Sequence, residues 1–180
     1  MAKLPKTDTY DLKTHIRNVP DFPKPGILFR DITPLLLNAR VFRSIISTLV
    51  ERYAGQELSK IVAVESRGFM FAGPLAYELG AGFVPFRKVG KLPFQTISES
   101  YALEYGNAEI EVHSDAIEKG ERVLVFDDLL ATGGTAAASV SLARRLGATV
   151  VEACFIVELT GLAGREKLEE TPVFSLVQYD

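Results

Sequence analysis

The stretch Val123-Leu124-Val125-Phe126-Asp127-Asp128-Leu129-Leu130-Ala131-Thr132-Gly133-Gly134-Thr135 decides how the rest of the chain is read. Its four apolar residues, with no polar break, read as a strand buried on both faces, the pattern of a parallel sheet. Two adjacent carboxylates follow at the carboxyl end of that strand, where α/β sheets bind their ligands. The Ala/Thr/Gly loop then opens an Ala- and Ser-rich helical stretch, which offers backbone N–H groups and the positive end of a helix dipole to a phosphate. Carboxylates for sugar hydroxyls beside an anion-binding loop describe a site for a sugar phosphate. No Gly-Lys-Ser/Thr closes the loop, so it is not a Walker A motif, and Gly-x-Gly-x-x-Gly is absent. Adjacent residues of an extended strand point to opposite sides, so both carboxylates reach one sugar only if the strand is turning there.

Outward from this stretch, short apolar runs alternate with helical periodicity. Residues 61–64 read as a buried strand that runs into Glu65-Ser66-Arg67-Gly68, with a helix after it to Leu79. Residues 83–86 are a second strand, 150–159 a third and 173–177 the last. A helix over 135–146 ends at Gly147, a natural C-cap, and 165–169 is a short helical stretch. Val41, Phe42, Ile45, Ile46, Leu49, Val50 and Tyr53 recur at helical spacing and stop before Gly55. The second strand leads into Arg87-Lys88-Val89-Gly90-Lys91-Leu92-Pro93, and from there to about Glu99 there is no periodicity, which reads as a mobile loop. Residues 101–105 and 108–112 flank Gly106-Asn107 and read as a hairpin. Strands alternating with helices give an α/β fold, a mostly parallel sheet flanked by helices on both faces. It is read as one domain, 1–180, with a Pro-rich N-terminal cap or hood over 1–35 and a loop-and-hairpin insertion over 88–112.

At 180 residues the chain is long enough to bury about 70% of its unfolded surface. A net charge of −3 offers no basic face for nucleic acid. No stretch approaches the ~20 apolar residues of a membrane span, and residues 1–13 lack the apolar core of a secretory signal. These features predict a cytoplasmic protein with neither nucleic acid nor membrane as partner. The single Cys154, in an apolar run, reads as a small buried side chain. His15 and His113 stand alone, so no protein-built metal site is expected.

Glu65-Ser66-Arg67-Gly68 repeats the logic of the first motif: a strand, a polar residue, an arginine and a glycine, then a helix. Arg67 brings a fixed charge and a planar fork suited to phosphate oxygens, against the plainer reading of a surface arginine at a strand end. Arg87, Lys88 and Lys91 cluster just after another strand. Such a run is either a solvated face or the counter-charge for an anionic leaving group. On its residues alone, Glu104 is an exposed hairpin carboxylate and Phe29 a core residue.

The acidic pair with its Ala-Thr-Gly-Gly-Thr loop resembles the 5-phosphoribosyl-1-pyrophosphate (PRPP) motif of the type I phosphoribosyltransferase family. Phe22-Pro23-x-Pro-Gly-Ile-Leu-Phe29-Arg30 and Val157-Glu-Leu-Thr-Gly-Leu-x-Gly-Arg-Glu-Lys-Leu168 are similar to its adenine-specific branch. The likeness runs from about residue 19 to 179. It implies transfer of the 5-phosphoribosyl group of PRPP to N9 of adenine, giving AMP and pyrophosphate in purine salvage, with Mg²⁺ bound through PRPP and none held by the protein directly. By the resemblance, Asp127 and Asp128 hold the ribose hydroxyls, and Ala131, Thr132, Gly133, Gly134 and Thr135 cradle the 5′-phosphate. Ser66, Arg67, Arg87, Lys88 and Lys91 serve the pyrophosphate, with Arg87 and Lys91 open to a neighbouring subunit's site in a homodimer. Glu104 manages the proton at the purine imidazole, and Tyr105 helps close a lid that keeps water from the cationic sugar. Leu28, Phe29, Arg30 and Leu159 enclose the adenine. Two alternatives stand beside this: transfer to another 6-substituted purine, and a PRPP- or purine-sensing regulator on the same fold.

Overall fold

The structure, a computed structural model, describes residues 10–103 and 106–180. It divides into two compact units, Met1–Arg52 and Tyr53–Asp180. In the first, strand β1 (Arg17–Pro20) pairs antiparallel with β2 (Leu28–Asp31), from Arg17↔Asp31 to Pro20↔Leu28. The turn between them is tied by the Asp21 carboxylate, which accepts the Gly26 amide at 2.7 Å. Helix α1 (Thr33–Leu37) starts where Asp31 accepts the Thr33 amide. Asn38 does the same for Arg40 and Val41 at the start of α2 (Ala39–Tyr53), a carboxamide serving as N-cap. Along α2, Val41, Ile45 and Leu49 are buried at i, i+4 and i+8, as the periodicity predicts.

The second unit is built on a seven-stranded sheet of order β5-β6-β4-β3-β7-β8-β9. Strands β3 (Lys60–Val64), β4 (Gly82–Lys88), β7 (Arg122–Leu130), β8 (Thr149–Leu159) and β9 (Val173–Tyr179) are mutually parallel. The edge hairpin β5 (Thr96–Leu103) and β6 (Gly106–His113) joins β4 antiparallel. This is the mostly parallel sheet the sequence predicts. From β3 the chain crosses through α3 (Arg67–Leu79) to β4; from β7 it crosses through α4 (Gly134–Arg145) to β8 on the opposite side. Parallel crossovers are right-handed, so steps in opposite directions put α3 and α4 on opposite faces. The α4 face holds Val62, Val64, Val123, Val125 and Phe155 with Ala138, Val140 and Leu142. The alternate residues Ile61, Ala63, Leu124 and Phe126 are also fully buried, which is why these strands read as unbroken apolar runs.

Three boundaries differ from expectation, the first being the hairpin turn: Gly106 and Asn107 pair with Leu103 and Ala102 inside β6 and do not form it. Strand β7 runs to Leu130, with Asp127↔Phe155 and Leu129↔Val157 in register, so the acidic pair lies inside the strand and not at a turn beyond it. The predicted loop to about residue 99 ends sooner: Thr96↔His113 begins a ladder that continues without a break. An edge strand bonded on one side needs no apolar alternation, and between 96 and 99 only Ile97 is apolar. Among the described residues, no helix is long and apolar enough to cross a membrane.

Candidate active site

Strands β3 and β7 are neighbours, and the chain leaves their carboxyl ends in opposite directions. That is the switch point where open α/β sheets hold ligands. A cavity of about 530 Å³ lies there, lined by Glu65, Ser66, Arg67, Lys88, Asp127, Asp128 and the run 129–135. The 13-residue helix α3 starts at this cavity, with Ser66 as N-cap making no side-chain cap bond. Helix α4 starts at it too, behind Gly133, whose φ of +77° lies in the left-handed region that favours glycine. Two helix N-termini therefore open on one space, an anion-binding arrangement. The approach between the two motifs is close, since a Cβ on Gly68 would stand 3.1 Å from Asp127 Oδ1.

The two carboxylates are distinguished by their surroundings. Arg67 Nε donates to Asp128 Oδ2 at 2.6 Å. Asp127 Oδ1 accepts the backbone N–H of Asp128 at 2.8 Å. Burial, and then the neighbouring Asp128 charge, push the Asp127 carboxyl well above the usual aspartate range. Both line the cavity although the strand continues past them.

Of the five residues assigned to pyrophosphate, Ser66, Arg67 and Lys88 line the cavity; Arg87 and Lys91 do not. Arg87 Nε donates to Glu65 Oε2 at 2.7 Å and its Nη1 to the Lys91 carbonyl at 3.2 Å. The Lys91 side chain is exposed. Glu65 also accepts the Lys88 amide. Burial raises its carboxyl, but the Arg87 bond, the Lys88 amide and the two charges outweigh this and hold it below the usual range. On β6, Glu111 is only 4% exposed and accepts the amides of Lys91 and Leu92 at 2.9 Å and the Thr96 hydroxyl at 3.1 Å. Burial is again offset, by these bonds and the Gly90 amide, and Glu111 is held low. Sequence alone carries no signal for Glu111, because the amides it accepts come from a loop whose place beside β6 is a matter of topology. Tyr101 and Ile110, which also line the cavity, were missed for the same reason: they belong to a hairpin whose place beside β4 is a matter of topology.

Leu28, Phe29 and Arg30 lie on β2 of the N-terminal unit, where the Phe29 ring meets Phe22 edge-on at 5.1 Å and Arg30 bonds Asn18. Leu159 ends β8 in the second unit, opposite Tyr179. Glu104 and Tyr105 fall outside the described residues.

A parallel sheet with an acid pair, an arginine and two helix N-termini at its switch point defines the class: an α/β protein built to hold an anionic ligand at its sheet edge. The phosphoribosyl transferase domain family matches residues 32–178. An adenine phosphoribosyltransferase of Carboxydothermus hydrogenoformans is 56% identical over 169 residues, 94% of this chain and 99% of the relative. The crystal structure of adenine phosphoribosyltransferase from Thermoanaerobacter pseudethanolicus superposes with a TM-score of 0.90 at 50% identity, covering 93% of this chain and 98% of that one. The Saccharomyces cerevisiae enzyme, solved with adenine and an imino-altritol bisphosphate, gives a TM-score of 0.87 at 43% identity over 92% of this chain and 96% of its own. The chain belongs to the adenine phosphoribosyltransferase family, and with it to the pentosyltransferase enzymes.

Proposed function

We propose that the chain transfers the 5-phosphoribosyl group of PRPP to N9 of adenine, giving AMP and pyrophosphate. The observation that carries this is the single cavity joining Arg67, Lys88, Asp127, Asp128 and the 131–135 loop. The C1′–oxygen bond to pyrophosphate breaks, the C1′–N9 bond forms, and the imidazole gives up a proton. Asp127 and Asp128 take the ribose hydroxyls, the 131–135 loop and the α4 N-terminus take the 5′-phosphate, and Ser66, Arg67 and Lys88 take the departing pyrophosphate, whose charge they stabilise as it leaves. Leu28, Phe29, Arg30 and Leu159 recognise the base, and the yeast relative's complex with adenine supports that ligand. Glu104 receives the proton and Tyr105 closes the site.

Mg²⁺ fits as a substrate-borne ion. Among the described residues no three His, Cys, Asp or Glu side chains gather as ligands. The ion would be carried by the oxygens of PRPP and by water, as Mg²⁺ commonly is beside substrate phosphates, leaving Asp127 and Asp128 to the ribose hydroxyls. Bound there, it would neutralise charge on the pyrophosphate.

A homodimer is part of the proposal. Met70 and Tyr77, one face of α3, are 46% and 84% exposed, and the exposed Phe83 of β4 meets Phe69 of α3 edge-on at 5.4 Å. An apolar patch of this kind suits a self-complementary interface, from which Arg87 and Lys91 would serve the neighbour. A cytoplasmic location accords with a single cysteine, Cys154, buried in the core.

The test is nucleotide formation from PRPP and Mg²⁺ with adenine, hypoxanthine and guanine offered in parallel. Adenine alone should turn over. Turnover of another base would keep the reaction but refute the base assignments, and tight PRPP binding without turnover would point to a regulator.

A further inference from the structure

We infer that Glu158, Gly164 and Arg165 form a brace that fixes the shape of the 131–134 loop, and that Arg165 is a positioning residue for the 5′-phosphate although it lies outside the cavity. The inference rests on the reading of that loop as the 5′-phosphate site. None of the three residues lines the cavity.

The contact is backbone against backbone. A Cβ on Gly164 would stand 2.2 Å from the Ala131 carbonyl oxygen and 3.0 Å from the Gly133 nitrogen; one on Gly133 would stand 2.3 Å from the Gly164 carbonyl oxygen. Both positions need glycine because the two chains touch there, and at Gly133 the positive φ requires it independently. Gly164 opens the short 3-10 segment Gly164–Leu168, which has no sheet pairing to hold it. Leu168 anchors its far end in the core, and Arg165 holds the end that touches the loop. Its guanidinium grips Glu158 with two bonds, Nε to Oε1 and Nη2 to Oε2 at 2.7 Å, and its Nη1 donates to the Val173 carbonyl at 2.9 Å. Glu158 is 3% exposed and also accepts from Ser175 Oγ at 2.6 Å and Gln178 Nε2 at 3.1 Å. Its register partner on β7 is Leu130, the residue from which the loop departs. The frame is therefore closed: β7 delivers the loop beside Glu158, and Glu158 returns Gly164 against the loop through Arg165.

A loop that binds an anion through backbone N–H groups works only if those groups already point at it. A Thr-Gly-Gly sequence has no stiffness of its own, so the orientation has to come from outside. Replacing the two-pronged arginine by lysine keeps the charge but loses the fork.

The experiment compares Arg165→Lys and Gly164→Ala with a loop control, Thr132→Val, reading KM for PRPP, KM for adenine at saturating PRPP, Tm, and affinity for ribose 5-phosphate and for pyrophosphate by calorimetry. Arg165→Lys should raise KM for PRPP on the order of tenfold, the scale of a small misplacement of binding groups, and weaken ribose 5-phosphate in parallel. KM for adenine and pyrophosphate affinity should stay within about twofold. Gly164→Ala should do the same more strongly. If Thr132→Val raises KM for PRPP while Arg165→Lys and Gly164→Ala leave it unchanged, the brace is refuted. If every constant falls in proportion to lost Tm, the residues are merely structural and the inference is again refuted. If the wild-type protein shows no affinity for ribose 5-phosphate, the phosphate reading of the loop fails instead.

Discussion

Asp128 shows how much one residue depends on its partner. It is a nearly buried carboxylate, and Arg67, 61 positions earlier in sequence, donates to it at 2.6 Å. The pair holds the arginine at the cavity wall, so that an incoming ribose meets a prepared group. A hydrogen bond to a charged group is worth roughly 1.5–3 kcal/mol. Asp128→Asn should therefore weaken PRPP by roughly tenfold to a hundredfold, while leaving adenine affinity alone if adenine binds on the N-terminal unit's β2. Calorimetric titration with PRPP checks this, and an unchanged dissociation constant would remove Asp128 from the ribose site.

At the scale of elements, the loop 89–95 is held by the strands beside it more than by its own sequence. Glu65 at the end of β3 and Glu111 on β6 accept four backbone or guanidinium bonds from the basic run and its continuation. Glu111→Ala would strip two of those amides of their acceptor, at a cost of about 1–3 kcal/mol. In a chain of this size that is a Tm fall of roughly 2–10 °C, measurable by calorimetry. An unchanged Tm would mean that water replaces the carboxylate at no loss. The same elements mark what sequence could and could not give. The strand–acid–glycine–helix motif was legible because every part of it is local: apolar run, carboxylates and loop are contiguous from Val123 to Thr135. The β-α-β order followed from the same periodicity. What Asp128, Glu111 and Arg165 bind was not legible, because each partner is set by which strands become neighbours. Glu111 is one polar residue of a hairpin strand until its partners are known, and Arg165 carries no meaning beyond its place in a resembling segment. The Thr96 start of β5 was hidden because edge pairing leaves no apolar signature.

For the molecule as a whole, titration sets stability against binding. Bonds from Lys60 and Arg165 chiefly hold Glu121 and Glu158 below the usual 4.5, and at Glu65 and Glu111 hydrogen bonds outweigh burial to the same end. A carboxyl lowered in the folded state adds stability that is complete above its unfolded value and is lost as pH falls through the folded one. Tm should therefore drop steeply below about pH 4.5. Asp127 has the opposite sign. Its folded value is raised from 3.8, first by burial and then by Asp128. The stability tied to its protonated form is complete below the unfolded value and is lost as pH rises through the folded one. A charged Asp127 is thus a destabilising group kept at a ligand site, as stability–function trade-offs require. Asp127→Asn, which retains an oxygen for the Asp128 amide, should raise Tm at pH 7 while converging on the wild type in acid, and should weaken PRPP at the same time. The wild-type PRPP affinity should carry an acid limb displaced above the ordinary aspartate range, and that limb should vanish in the variant. Thermal scans and PRPP titrations over pH 4–8 decide the matter: a variant less stable than wild type at pH 7, or one with an unaltered acid limb, would show that the Asp127 charge is neither costly in the fold nor used by the ligand.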